Sequence, residues 1–162
     1  MKLSAAVTVI VCSVMTGLEL YRRRRQVCEL LSQAAGFCLY MQSCIRYEQS
    51  VPEKMMNTYP SDNALFRSCR AKLSCGCSFA EAWSIAVKEN ALFLPHEEFE
   101  LIMHLGSELG KTDITGELMR IERIYSRLDE LHSIHRGELE KDRRLYLSVS
   151  LLSGIFITLM MI

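Results

Sequence analysis

Apolar positions follow two regimes along this chain. Residues 3–20 and 145–162 are long apolar runs, the first with one acid (Glu19) and no base, the second with no charge. Between them, apolar residues step by three and four, which marks helices with one buried face. Val27, Leu30, Ala34, Phe37, Met41 and Cys44, widened by Leu31, Cys38 and Ile45, predict a helix of about 20 residues. Ser50-Val51-Pro52 breaks it, because the residue before proline is driven out of the α region. A short helix over Glu53–Thr58 then ends at Tyr59-Pro60. Ser61 or Asp62 is the expected cap of the next helix, which carries Leu65, Phe66, Cys69 and Leu73 and closes at Cys75-Gly76-Cys77. Ser78 with Glu81 reads as a capping box for Phe79–Val87.

Pro95 suits the first turn of a further helix, with Glu97 and Glu98 at its positive end. Its apolar face is Phe99, Ile102, Met103 and Leu109, and Gly110 is placed to end it in a left-handed cap. Asp113 is placed to cap the last helix, where Ile114, Leu118, Ile121, Tyr125, Leu128 and Leu131 share one face. Glu140 and Arg144 have the spacing of a helical ion pair. Only isolated Gly116, Gly137 and Gly154 interrupt this pattern before Ile162, so the last helix is expected to continue into the terminal apolar run. The fold class is all-α: an antiparallel bundle of about six helices, flanked by an N-terminal and a C-terminal transmembrane helix.

The transmembrane reading rests on length and charge. Eighteen helical residues span roughly 27 Å, close to the thickness of a hydrocarbon core. A spanning helix satisfies its own backbone, so apolar runs of this length insert as helices. Arg22-Arg23-Arg24-Arg25 follow the first run, and Lys141, Arg143 and Arg144 precede the last. Bases concentrate on the cytoplasmic side. Residues 1–20 and 145–162 are therefore expected to span, with 21–144 in the cytoplasm and both termini outside. A cleaved leader would need a small-x-small site, and four arginines directly after the run resist export. A lipidated Cys12 would need a small residue before it, and Val11 is there. Ser150 and Gly154 lie four apart, the spacing that lets membrane helices approach closely.

Composition narrows the chemistry. The 162 residues hold 19 bases and 19 acids, so no net charge points to nucleic acid. Eight glycines and three prolines leave little besides helix and tight turns. There is no glycine-rich phosphate loop, no readable catalytic triad and no catalytic residue, so an enzyme is not expected. Seven cysteines suggest a disulfide or zinc framework, but a reducing cytoplasm disfavours disulfides. Cys28, Cys38 and Cys44 fall on or beside an apolar face, where a thiol is a small hydrophobe. Cys69, Cys75 and Cys77 lack the second pair that zinc requires. Asp129, His132, His135 and Glu138 recur every three residues but read as a solvated face, because facing acids are missing. Trp83 reads as a core anchor. Neither a metal nor a cofactor is expected.

One segment carries an identity. Leu105-Gly106-Ser-Glu108-Leu109-Gly110-Lys111-Thr-Asp113 resembles the Leu-Gly-x-x-Leu-Gly-x-x-Asp pattern of the stage III sporulation protein AB family. Gly17-Leu-Glu19 with the arginines, and more loosely Tyr47, the Pro52 region and Ala82-Trp83, extend the likeness over the chain. Glu117 stands where that family usually has glutamine, and Ser150 where it usually has glycine. The resemblance implies a non-enzymatic platform in the mother-cell membrane, part of a secretion-like channel to the forespore. Its cytosolic domain would be similar to the platform domains of type II secretion and type IV pilus machines. The implied partners are the stage III sporulation protein AA ATPase, other channel components and the membrane, with self-association left open and no nucleic acid. Alternatives are a secretion or pilus platform itself, or a membrane sensor using Cys69, Cys75 and Cys77 for metal or redox chemistry. The segment from Leu105 to Asp113 is the candidate site, either as partner-docking corner or as structural turn. In the structural reading Gly106 allows close packing, Gly110 turns the chain and Asp113 caps.

Overall fold

The computed structural model describes residues 2–47, 51–107, 109 and 113–161, and the side chains of 15, 19, 21–47, 51–107, 109 and 113–141 among them. These form six helices and no strand: α1 (Lys2–Tyr47), α2 (Pro52–Thr58), α3 (Ala64–Ser74), α4 (Phe79–Asn90), α5 (His96–Ser107) and α6 (Ile114–Met161). The chain divides into two compact units. One comprises Met1–Cys28 with Ser133–Ile162, the other Glu29–His132.

The first apolar run and the helix expected from Val27 are one helix, α1. The reason is local: residues 18–35 hold neither glycine nor proline, and arginine is a good helix former. At the other end, α6 is helical from Ile114 to Met161. Among the described residues, no helix is long and apolar enough to cross a membrane. The side chains of both apolar runs lie outside the described residues, Met15 and Glu19 excepted, as do those of Cys12, Arg143, Arg144, Ser150 and Gly154.

In the unit Glu29–His132, the helix ends follow local rules. The α3 cap is Asn63, whose side chain accepts from the amide of Leu65. Ser61, one of the two expected caps, instead accepts from the Asn63 amide through its hydroxyl and is itself buried. Asn63 wins because it directly precedes the first helical residue, the position from which a side chain reaches the second amide. At the C-terminus of α3, Gly76 takes φ +89°. The amide of Cys77 reaches the carbonyl of Lys72, and that of Gly76 the carbonyl of Leu73. This is a Schellman motif, and only glycine takes that backbone conformation without strain. Ser78 and Glu81 form the expected capping box, and α4 extends three residues past Val87 to Asn90. Proton loss from Glu81 is favoured by its bonds to Ser78, which hold its pKa below the usual carboxylate value. Pro95 precedes α5 rather than sitting in its first turn, and its carbonyl accepts from Phe99.

The core is aromatic at its centre. Trp83 stacks on Phe37 (centroids 5.8 Å apart) and on Phe79 (6.0 Å), while Phe66 meets it edge-on at 6.0 Å. Such pairs add about 0.5–1.5 kcal/mol each beyond the apolar area they bury. Met55, Met56, Leu65, Ile102 and Ile121 pack fully buried in the same unit. The α2–α3 connection is tied to α1: Tyr59 Oη donates to the Gln33 carbonyl (3.2 Å) and Ser61 Oγ to Gln33 Oε1 (3.0 Å). Arg70 holds the same connection from α3 through the carbonyls of Tyr59 and Ser61. Gln42 on α1 donates to Glu122 on α6. Arg127 on α6 binds Glu97 on α5.

The buried face of α6 differs from the expected one. Ile121, Ile124, Leu128 and Leu131 are buried, Leu118 and Tyr125 are half-buried, and Ile114 is exposed. Asp113, Ile114 and Thr115 at the start of α6 are exposed, and its buried apolar positions begin at Ile121. Glu140 lies 3.7 Å from Arg136; its expected partner, Arg144, has a side chain outside the described residues.

Candidate functional site

The corner between α5 and α6 separates into an inner and an outer side. Leu105 and Gly106, in the last turn of α5, are buried. A Cβ placed on Gly106 would lie 2.2 Å from Cγ of Trp83 and 2.3 Å from its Cδ1. The indole thus lies flat against the α5 backbone, and its Nε1 donates to the Ile102 carbonyl at 2.8 Å. Hydrogen bond and missing side chain together seat α4 on α5. Gly106 therefore has a packing role.

Asp113 supplies the start of α6. Its Oδ1 accepts from the Gly116 amide (3.3 Å), and its carbonyl accepts from Glu117 (2.9 Å). Leu109 is half-buried, and Asp113 is exposed. Glu108, Gly110 and Lys111, the remaining residues of the candidate segment, lie outside the described residues.

Sequence reasoning missed the ion pair beneath this corner. Glu117 is buried, and Arg120 Nη2 lies 2.6 Å from its Oε1. Arg120 Nη1 donates to the carbonyl of His104 in the last turn of α5, at 3.2 Å. One guanidinium therefore joins the first turns of α6 to the end of α5. The spacing of three between Glu117 and Arg120 was legible, but it is common on exposed helices and does not reveal burial. Two apolar side chains at the start of α6 are exposed: Ile114 to 52% and Met119 to 55%.

The cysteines divide by burial. Cys38, Cys44 and Cys69 are buried, Cys28 and Cys77 half-buried, and Cys75 exposed. Burial pushes the thiols of Cys38 and Cys69 up to about 12, with the charge of Arg120 opposing this at Cys38 and that of Arg70 at Cys69. Both thiols stay protonated and behave as small core hydrophobes. Among the described residues, no group of three or more His, Cys, Asp or Glu side chains could hold a metal ion. In the spaced row on α6, Asp129 and Glu138 are exposed and His132 and His135 half-buried.

In the unit of Met1–Cys28 and Ser133–Ile162, Arg22, Arg23 and Arg25 are exposed. Arg24 is half-buried and lies 3.8 Å from Glu138. Lys141 is exposed one turn beyond Glu138.

The family model described as stage III sporulation protein AB matches residues 2–162. No curated protein and no solved structure matches the chain.

Proposed function

The chain belongs to the stage III sporulation protein AB family, and from its role in that stage of sporulation we propose a non-enzymatic membrane platform that docks a cytosolic ATPase. In this reading residues 1–20 and 145–162 anchor the chain in the mother-cell membrane, and residues 21–144 face the cytoplasm. The two uncut apolar runs and their basic flanks support the anchoring. The partner is the stage III sporulation protein AA ATPase, within the channel between mother cell and forespore.

The observation that carries the docking is the two-sided corner. Its inner side is held by Gly106 against Trp83 and by Arg120 across Glu117 and His104. Beside it, Ile114 and Met119 are exposed on the first turns of α6. A braced surface with exposed apolar side chains loses little entropy when a partner covers it. From that corner α6 continues as helix to Met161, a route along which a push by the ATPase would reach the terminal run.

Two experiments test this. Reporter fusions at each terminus and within residues 60–90 should place the ends outside and the middle inside. Ile114→Asp with Met119→Asp should abolish co-purification with the ATPase while the helical circular dichroism and melting transition persist. Undiminished co-purification would remove the corner as the docking site. A periplasm-type signal from residues 60–90 would overturn the platform topology.

A further inference from the structure

Four consecutive arginines are an uncommon arrangement on a helix. At 3.6 residues per turn, positions 22–25 turn through roughly 300° while rising only roughly 4.5 Å. They form a collar around α1, since they cannot share one face. A nucleic-acid-binding helix sets its bases on one face or along its length, following a groove. A thin ring of charge normal to the helix axis matches a flat layer of charge crossed by that helix. On α6, Lys141 stands exposed one turn beyond Glu138, towards the apolar run, and Arg143 and Arg144 follow in sequence. On α1, Arg22 and Arg23 precede Arg24, again towards the apolar run. The ion pair of Arg24 with Glu138 (3.8 Å) joins α1 and α6 beside the two basic stretches, within one unit.

Glu138 engages Arg24, and Arg22, Arg23 and Arg25 remain exposed. We propose that the collar of Arg22, Arg23, Arg25 and Lys141 binds the phosphate headgroups of anionic phospholipids at the cytoplasmic face. This goes beyond the use of these bases as topology signals, because it assigns them a lipid class. It rests on the membrane anchoring proposed above. Arginine suits the role, since its planar fork takes two phosphate oxygens at once. Each base near an anionic surface strengthens binding roughly fivefold, and the effect decays within a screening length of about 8 Å at physiological salt.

The test uses the full chain in nanodiscs of phosphatidylcholine and phosphatidylglycerol in equal parts, with bound lipid counted by native mass spectrometry. Phosphatidylglycerol should be enriched on the wild type. Arg22→Gln, Arg23→Gln and Arg25→Gln together should weaken that binding by roughly fivefold per charge, about 100-fold in all. A charge-matched control with Arg46→Gln, Arg67→Gln and Arg123→Gln, all exposed in the other unit, should keep the enrichment. Enrichment that is absent from the wild type, or equal in the triple variant, overturns the proposal and leaves the anchoring intact. Complete displacement of lipid by inorganic phosphate, or equally tight binding of duplex DNA, overturns it in favour of a general anion site. A chain that enters neither this nanodisc nor one of pure phosphatidylcholine overturns the anchoring and the lipid site together.

Discussion

At Gly106 the room for a side chain is taken by an indole. Trp83 is held in place by Phe37, Phe66 and Phe79 and by its bond to the Ile102 carbonyl, so the ring has nowhere to move. Gly106→Ala should therefore destabilise the protein by about 1–3 kcal/mol, the usual range for overpacking a filled core. Gly137 is the control: a Cβ there meets nothing within 4 Å. Gly137→Ala should be neutral or stabilising by up to about 1 kcal/mol, since alanine is the better helix former. Urea melts of the two variants compare them directly, and equal midpoints would contradict the packing role of Gly106. Sequence patterning placed Trp83 in the core and allowed that Gly106 served close packing. Their contact spans α4 and α5, and no spacing rule within one helix encodes it. Glu117 shows the limit more sharply. In sequence it is one acid among 19 acids, and nothing in its spacing marks it as buried.

Helix boundaries were the most legible level, because caps and breakers act within a few residues. The capping box at Ser78, the break at Pro52 and the glycine turn after α3 all rest on local chemistry. The turn yields a sharp test. Gly76 has φ +89° with open space around its Cα, so Gly76→Ala meets no clash and measures the backbone alone. It should cost about 1–2 kcal/mol, the penalty for an L-residue in the left-handed region. Gly76→Asn should recover part of that loss, because asparagine tolerates the conformation better. Equal melting temperatures for all three proteins would contradict the assignment. At the start of α3 three local signals compete. Ser61, Asp62 and Asn63 are all capping residues, and the choice among them depended on where the chain left the α2–α3 connection. Arg70, two turns further along α3, and Gln33, on α1, fix that point.

At the scale of the molecule, the buried hydrophobic side chains described all fall between Leu30 and Leu131, apart from Val27. The unit Glu29–His132 thus encloses its own core. A polypeptide of residues 29–132 should fold alone and unfold in one cooperative thermal transition with helical circular dichroism. A broad, non-cooperative melt would show that this core needs residues beyond the unit. The exposed Leu92 and Phe93 between α4 and α5 leave its solubility as a separate question from its folding.

The chain by itself determined the helical class, most helix ends, the core placement of Cys38 and Cys44 and the family motif at Leu105–Asp113. Each of these depends on neighbours three or four residues away, or on the order of residues in a turn. Tertiary structure decided how the motif is used. It buried Leu105 and Gly106 against Trp83, drew Arg120 across to His104 and Glu117, and left Ile114 and Met119 outside. Those assignments depend on which helix lies against which, and residues far apart in the chain meet only when the bundle closes.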